Sequence, residues 1–442
     1  MAITILIIAF VVEVAFAAYC IITKSNQTKV RSYIRIGALA AFVVATLAAV
    51  IQWGFRWYLL AALLLIWAAL GAWALIRNKG EKKEYKTGWV VFNAIAMLVI
   101  VTLVLTPALV FPQHKLPKVT GKLEVATVTY TYTDPSRTDT FTNTGASRNV
   151  NVEFWYPKAG GGKYPLVVFD HGVLGMKTSN TSTFMELASN GYVVCSIDHP
   201  HQSLYTVGAD GHLVTIDPTI VQEVMGVDNG KYDEATQFQI EQKWIKLRTT
   251  DINFVLDTIL AQAKAASSGA VYQLINTEKI GLMGHSLGGE SSAQVARERN
   301  DIGAVVNLDA DLGGEYLDFV NGKNVMNDKV YPVPILTILA DDLARLIAAV
   351  PDANNVVAVQ HVTATAPNAY EIHIVGTDHQ SLTDLAISSP FLVWLITTSV
   401  PKAGGGEPAD KLGVIETMNS TVLEFFNAYL KGVGSFSAAG TY

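Results

Sequence analysis

KIGLMGHSLGGESS, residues 279–292, sets a serine in the frame Gly284-His285-Ser286-Leu287-Gly288. Apolar residues run into it and a helix-compatible stretch runs out. A five-residue glycine frame recurs by chance, so its meaning rests on what surrounds it. A strand that turns sharply into a helix lifts the serine hydroxyl to the tip of the turn. Such a turn is strained and crowded, and it demands small residues on both sides. Gly284 and Gly288 meet that demand, and Gly289 lets the helix start close to the sheet. The order strand, turn, helix predicts that Ser286 sits at the C-terminal edge of the strands, where open α/β sheets place their ligands.

The surrounding chain has the rhythm this reading needs. LEVATVTYTYTD (123–134) and NVNVEFWYP (149–157) are rich in β-branched and aromatic residues and predict an antiparallel edge hairpin. Short apolar runs follow at 164–172, 192–200, 304–310, 333–342 and 370–379, alternating with helical patterns near 184–191, 239–262, 287 onward and 410–431. Near-continuous apolar strands separated by helices predict a mostly parallel sheet covered on both faces. A polar stretch over 203–237 interrupts the pattern. Its length without clear periodicity predicts a lid or an irregular insertion.

A serine hydroxyl is a poor nucleophile at neutral pH and needs a base, which an acid must orient. Among nine histidines, His379 in GTDHQS is the best base. It follows the last strand and lies downstream of every acid candidate, matching the order Ser, Asp, His. His285 reads as the variable residue of the turn. His171, His199 and His201 follow upstream strands, where pocket-lining groups belong, and His373 lies within a strand. Asp309 ends the strand after the serine's helix, and Asp341 and Asp342 end the next one; position alone does not separate them. A developing oxyanion needs two backbone N–H donors. Leu287, directly after the serine, supplies one, and Val173, after His171-Gly172, is the expected second.

YPLVVFDHGVLG, GYVVCSIDHPHQS, KIGLMGHSLGG, VVNLDADLGG and GTDHQSLTD together resemble the platelet-activating-factor acetylhydrolase type II and dienelactone-hydrolase-like branch of the α/β-hydrolase superfamily, over roughly 120–430. The resemblance implies an α/β-hydrolase sheet and ester hydrolysis without a cofactor. In that family the acid lies in an L-D-[AG] motif after the nucleophile's helix. Leu308-Asp309-Ala310 matches it, 23 residues after Ser286, which favours Asp309 over Asp341. The resemblance likewise implies Val173 and Leu287 as oxyanion donors. The chain departs from the family over 203–237 and between Asp309 and His379, the segments that shape a substrate pocket.

The first 114 residues lie outside that resemblance. Apolar runs at about 2–22, 33–53, 57–76 and 89–111 each approach the ~20 residues that cross a hydrocarbon core as a helix. Lys24, Lys29, Arg31 and Arg35 fall in the first connection, Arg56 alone in the second, and Arg77, Lys79, Lys82, Lys83 and Lys86 in the third. Basic loops stay inside. The N-terminus and the body from residue 115 onward are therefore expected outside the cytoplasm, at the plasma membrane. Glu13 interrupts the first run; its expected role is helix pairing within the bundle. Of the 32 basic and 38 acidic residues, 22 and 35 fall after residue 114. So acidic a body excludes nucleic acid as a partner. Cys20 and Cys195 make no disulfide framework, and no Cys/His group has zinc spacing, so no metal is expected.

The expected protein has a transmembrane domain of four helices over 1–114 and an α/β-hydrolase domain over 115–442, with a possible lid at 203–237. The expected activity is serine hydrolysis of a lipid or short-acyl ester. A peptidase or thioesterase with the same triad is the alternative within enzymes. A receptor or scaffold with a hydrolase-like domain is the alternative outside them.

Overall fold

In a medium without water only a helix satisfies every backbone group within one segment, and the four apolar runs fold accordingly. The computed structural model describes residues 1–77, 85–159, 161–265, 269–349, 357–397, 409–437 and 440–442. α1 (Ala2–Thr23), α2 (Thr28–Leu47), α3 (Tyr58–Ile76) and α4 (Thr87–Val110) are long and apolar enough to cross a membrane. Trp57, Leu64 and Leu105 are buried among them, and the Phe42 and Trp57 rings meet edge-on at 6.4 Å. Ile22, Leu47 and Ile76 are each at least four-fifths exposed. Such apolar surface is a liability in water and suits contact with hydrocarbon.

The second helix differs from expectation. It starts at Thr28 and stops at Leu47, where Ala49 turns left-handed (φ 55°), so Lys29, Arg31 and Arg35 lie inside its first two turns rather than in a loop. The reason is a partner across the bundle: the Arg31 guanidinium lies 3.5 Å from the Glu13 carboxylate on α1. Lys79, Lys82 and Lys83 lie outside the described residues.

The chain divides into two compact units, Met1–Lys115 with Ile387–Lys402, and Leu116–Ala386 with Ala403–Tyr442. The break at Lys115 lies where a single boundary was expected, and segment 387–402 groups with the first unit as well. Segment 387–402 carries the apolar PFLVWLIT, and Ser389 Oγ donates to the Val110 carbonyl at the end of α4.

The second unit runs β1 (Val125–Thr138), β2 (Ser147–Pro157), β3 (Tyr164–Asp170), α5 (Thr181–Ser189), β4 (Val193–Asp198), β5 (Tyr205–Val207), β6 (Leu213–Thr215), α6 (Pro218–Asp228) and α7 (Glu234–Lys264). It continues with α8 (Ala270–Gln273), β7 (Ile275–His285), α9 (Leu287–Glu298), β8 (Ile302–Leu308), β9 (Tyr316–Val320), β10 (Lys323–Met326), β11 (Ile335–Leu339), α10 (Asp341–Ala349), α11 (Ala358–Thr365), β12 (Ala369–His373) and α12 (Leu385–Ser388). After α13 (Pro390–Thr397), which groups with the first unit, α14 (Lys411–Phe426) and β13 (Gly440–Thr441) complete it.

Nine strands form one sheet in the order β1-β2-β4-β3-β7-β8-β11-β12-β13. β1 and β2 pair antiparallel, as do β2 and β4; every other neighbour is parallel. Successive strand residues point to opposite faces, and both faces are covered. Val168 and Leu282 join Ile252, Val255 and Ile259 of α7 and Val295 of α9 in one core. On the other face Phe169 packs on Phe184 of α5 at 4.9 Å, and Gly281 leaves room for Phe426 of α14.

The 203–237 stretch is not irregular. β5 and β6 make a small hairpin, and α6 starts at Pro218 behind an Asp217 cap that accepts from Thr219 N–H. Its strands are three residues long, too short for periodicity to show.

Candidate active site

β7 ends in the middle of the sheet, and the turn after it holds Ser286 at φ 55°, ψ −131°. A non-glycine residue at positive φ is strained. The crowding that enforces it is visible in the glycines. A Cβ on Gly284 would collide with the Gly288 backbone, and one on Gly288 with the Asp170 carbonyl at the end of β3. Strand β7, helix α9 and the end of β3 therefore converge where no side chain fits.

His379 follows β12, and its Nδ1 lies 2.6 Å from Asp309 Oδ2. Asp309 follows β8 with its own φ at 56°, and its other oxygen accepts from Ala340 N–H at 2.7 Å. The carboxylate is thus fixed at both oxygens. Asp341, the alternative acid, bonds elsewhere: Oδ1 meets His373 Nε2 at 2.8 Å and accepts from Gly376 N–H. Burial opposes charge on the His379 ring, but the hydrogen bond and charge of Asp309, with Asp378 and Asp342 nearby, hold its pKa above the ordinary histidine value. Burial likewise pushes the Asp309 carboxyl up, and His379 outweighs it and brings it below the usual range. Ser286 Oγ makes no hydrogen bond among the described residues, so serine and imidazole share this edge without a direct bond. Catalytic hydrogen bonds often tighten only when substrate is bound.

Gly172 abuts the serine: a Cβ there would stand 3.1 Å from Ser286 Cβ and 2.9 Å from His285 Nδ1. Val173 follows it. Leu287 is the first residue of α9, where N–H groups have no intrahelical partner. The Val173 and Leu287 side chains join Ile220 of α6 with Trp244 and Ile245 of α7 in a separate apolar cluster beside the serine.

Comparison with known proteins gives the family and the fold. Residues 140–432 match the family model of platelet-activating factor acetylhydrolase, isoform II. The chain belongs to that family. A platelet-activating factor acetylhydrolase from Bos taurus is 25% identical over 162 residues, 34% of this chain and 36% of that relative, so the match spans about a third of the relative's length. Among solved structures, a ferulic acid esterase from Streptomyces cinnamoneus superposes with a TM-score of 0.53 at 18% identity, over 72% of this chain and 93% of that one. At that identity the likeness concerns the fold. The family is one of carboxylic ester hydrolases.

Within the acetylhydrolase-family domain, the residues that hold the serine's surroundings were not legible as motifs. His285 is more than a variable turn residue: its Nε2 bonds the His379 carbonyl at 2.9 Å, and the two rings lie 4.5 Å apart. Burial first, then the His379 charge, pushes its pKa down to about 3, so the ring is neutral. Arg248 of α7 is fully buried. It donates to Asp170 Oδ1 (2.6 Å), the His171 carbonyl (2.8 Å) and Gln202 Oε1 (2.7 Å), pinning the turn that carries Gly172 and Val173. His199 bridges Asp170 and Asp251, and Arg148 and Arg137 pair with Asp251 in turn. Burial alone would push both carboxyls up, but their cationic and imidazole partners hold them well below the usual range. His171 bonds Ser203, and His201 lies 3.7 Å from Asp139. His171 and His199 thus brace the loop, while His201 lies against Asp139 and Phe141 in the connection between β1 and β2. Only Asp170 and its neighbours at strand ends hinted at this; Arg248 sits mid-helix, where its spacing reads as an ordinary polar face.

Arg248→Met should take the guanidinium away from the buried Asp170 carboxylate and leave it His199 alone among the described residues, a broken buried ion pair that costs about 3–5 kcal/mol. The expected result is a lower thermal midpoint together with a kcat loss larger than any change in KM. Arg248→Lys should recover part of the stability and little of kcat, because one ammonium cannot hold the β3 turn and Gln202 together.

Proposed function

We propose that the protein is a membrane-anchored serine hydrolase that cleaves carboxylic esters through an acyl-enzyme. Ser286 attacks the ester carbonyl. His379 takes the serine proton and returns it to the leaving alcohol, and Asp309 holds the imidazole in the tautomer that leaves Nε2 free to accept. The N–H groups of Val173 and Leu287 receive the oxyanion. Water, deprotonated by the same histidine, then releases the acid. The observation that carries this reading is the 2.6 Å bond from His379 to Asp309 on the strand edge where the strained Ser286 stands. An acetylhydrolase and an esterase among the similar proteins support ester rather than amide chemistry. The apolar cluster around Ile220 and Trp244 supports a lipid or short-acyl ester, with 203–237 closing over the site as a lid.

A fluorophosphonate probe should label the purified full chain, and Ser286→Ala should abolish labelling while leaving the melting temperature unchanged. Labelling that survives the substitution would sink the nucleophile assignment. Absence of labelling in the parent protein would favour a non-catalytic receptor. p-Nitrophenyl esters of graded acyl length, set beside peptide and thioester substrates, then rank the bond cleaved.

The raised His379 pKa gives the sign of the pH dependence. The base must be neutral, so kcat/KM should climb with pH through an apparent pKa above ~6.5 and then level off. Asp309→Asn should lower kcat on the order of 10⁴-fold, and Asp341→Asn only slightly. The reverse order would transfer the acid's role to Asp341.

The front helices and their basic flanks support a body on the extracytoplasmic side of the plasma membrane. Protease added to intact cells should remove the body and leave a fragment holding α1–α4; full protection until lysis would invert the topology.

A further inference from the structure

Within the four-helix unit a cavity of about 360 Å³ runs along α1. Met1 and Phe16 both line it, and a helix rises 1.5 Å per residue, so the lining extends over about 22 Å of axis. Ile8, Ala38, Leu64 and Val101 are among its walls, and the polar exceptions are Glu13, Arg31 and Arg35. The volume lies within the usual range of small-molecule sites, and apolar walls with a few convergent polar groups are the usual composition.

The charges are placed against ordinary preference. Lys and Arg near helix ends extend toward the aqueous boundary. Arg31 instead reaches Glu13, ten residues or about 15 Å along α1 from the helix's end at Thr23. Its guanidinium lies over the Phe16 ring at 4.7 Å, and that of Arg35 near the Trp67 ring at 5.9 Å. Arg35 has no carboxylate within 4.0 Å among the described residues. The cavity thus carries two cations and one anion in apolar surroundings. One further negative charge would neutralise it, and a guanidinium fork matches a carboxylate.

We infer that this cavity binds a single long-chain carboxylate, its acyl chain along α1 and its head group at Arg35 and Arg31. Length and apolar lining suit one chain, and charge complementarity selects an acid over an alcohol or a zwitterion. The site belongs to the first unit alone and does not depend on the triad, although ester hydrolysis of lipids would release a ligand of this class.

The test uses the full chain carrying Ser286→Ala, in phosphatidylcholine nanodiscs, with palmitate bearing a mid-chain diazirine as photoprobe. Cross-links should map to residues 1–110, and unlabelled palmitate should compete at least about tenfold better than hexadecanol. Arg35→Gln should weaken competition by about tenfold, Arg35→Lys should retain most of it, and Ala38→Phe should block labelling by filling the cavity, all with unchanged melting temperatures. Equal competition by hexadecanol would show bulk hydrocarbon contact and overturn the site. So would labelling indifferent to Arg35→Gln, or stronger displacement by a diacyl phosphatidylglycerol. Because Ser286 is absent throughout, a negative result leaves the hydrolase reading standing, and loss of the hydrolase reading leaves this result intact.

Discussion

Everything at the candidate site depends on one point of close approach, where β7, the first turn of α9 and the end of β3 meet with no side chain between them. Gly284, Gly288 and Gly172 are absent side chains as much as residues. Their lack of Cβ lets Ser286 be held at positive φ, a conformation it would not choose, with its hydroxyl at the open edge of the sheet. The cost of that strain is met by the layers around it. The strands flanking β7 are buried along nearly all their length, and the register that locks Asp170 beside Gly284 also sets the two turns that follow them side by side.

The second dependency is electrostatic. The loop carrying Gly172 and Val173 has little regular structure of its own, so buried charge does the work that a ladder does elsewhere. Arg248 grips a carboxylate and a main-chain carbonyl together, and His199 links Asp170 to the Asp251, Arg148 and Arg137 group. Such a network adds little net stability over a well-packed apolar core, and breaking it at one member is severe. Its value is in fixing one loop geometry. Two carboxyls at and after α9 take a different course: burial, with Glu241 close by, pushes Glu290 up to about 8, so it keeps its proton at neutral pH, and pushes Asp311 to about 6, where its carboxylate accepts from the Tyr316 hydroxyl.

The membrane-type unit follows a different rule. Lipid-facing surface asks only for apolar residues, so its composition is simple and its helices are legible at once. Charges that do occur there have to find each other. The Glu13–Arg31 pair explains both why an acid is tolerated in the first apolar run and why the second helix begins five residues before its apolar run does.

From the sequence by itself came the four apolar helices, the alternation of strand and helix, the serine between glycines, and His379 as the candidate base after the last long strand. Each is a local signal: hydrophobic periodicity, turn chemistry, or a motif whose spacing carries its own physical reason. The choice between Asp309 and Asp341 was open to position alone. Both end adjacent parallel strands, and only the three-dimensional path of the loop after β12 brings His379 to one and leaves His373 to the other. The roles of Arg248 and His285 and the helix inside 203–237 were equally hidden, because their partners lie tens of residues away or their elements are too short for a period to register. Local pattern states which segments will be strand or helix; which side chains then meet depends on distances that only the packed chain defines.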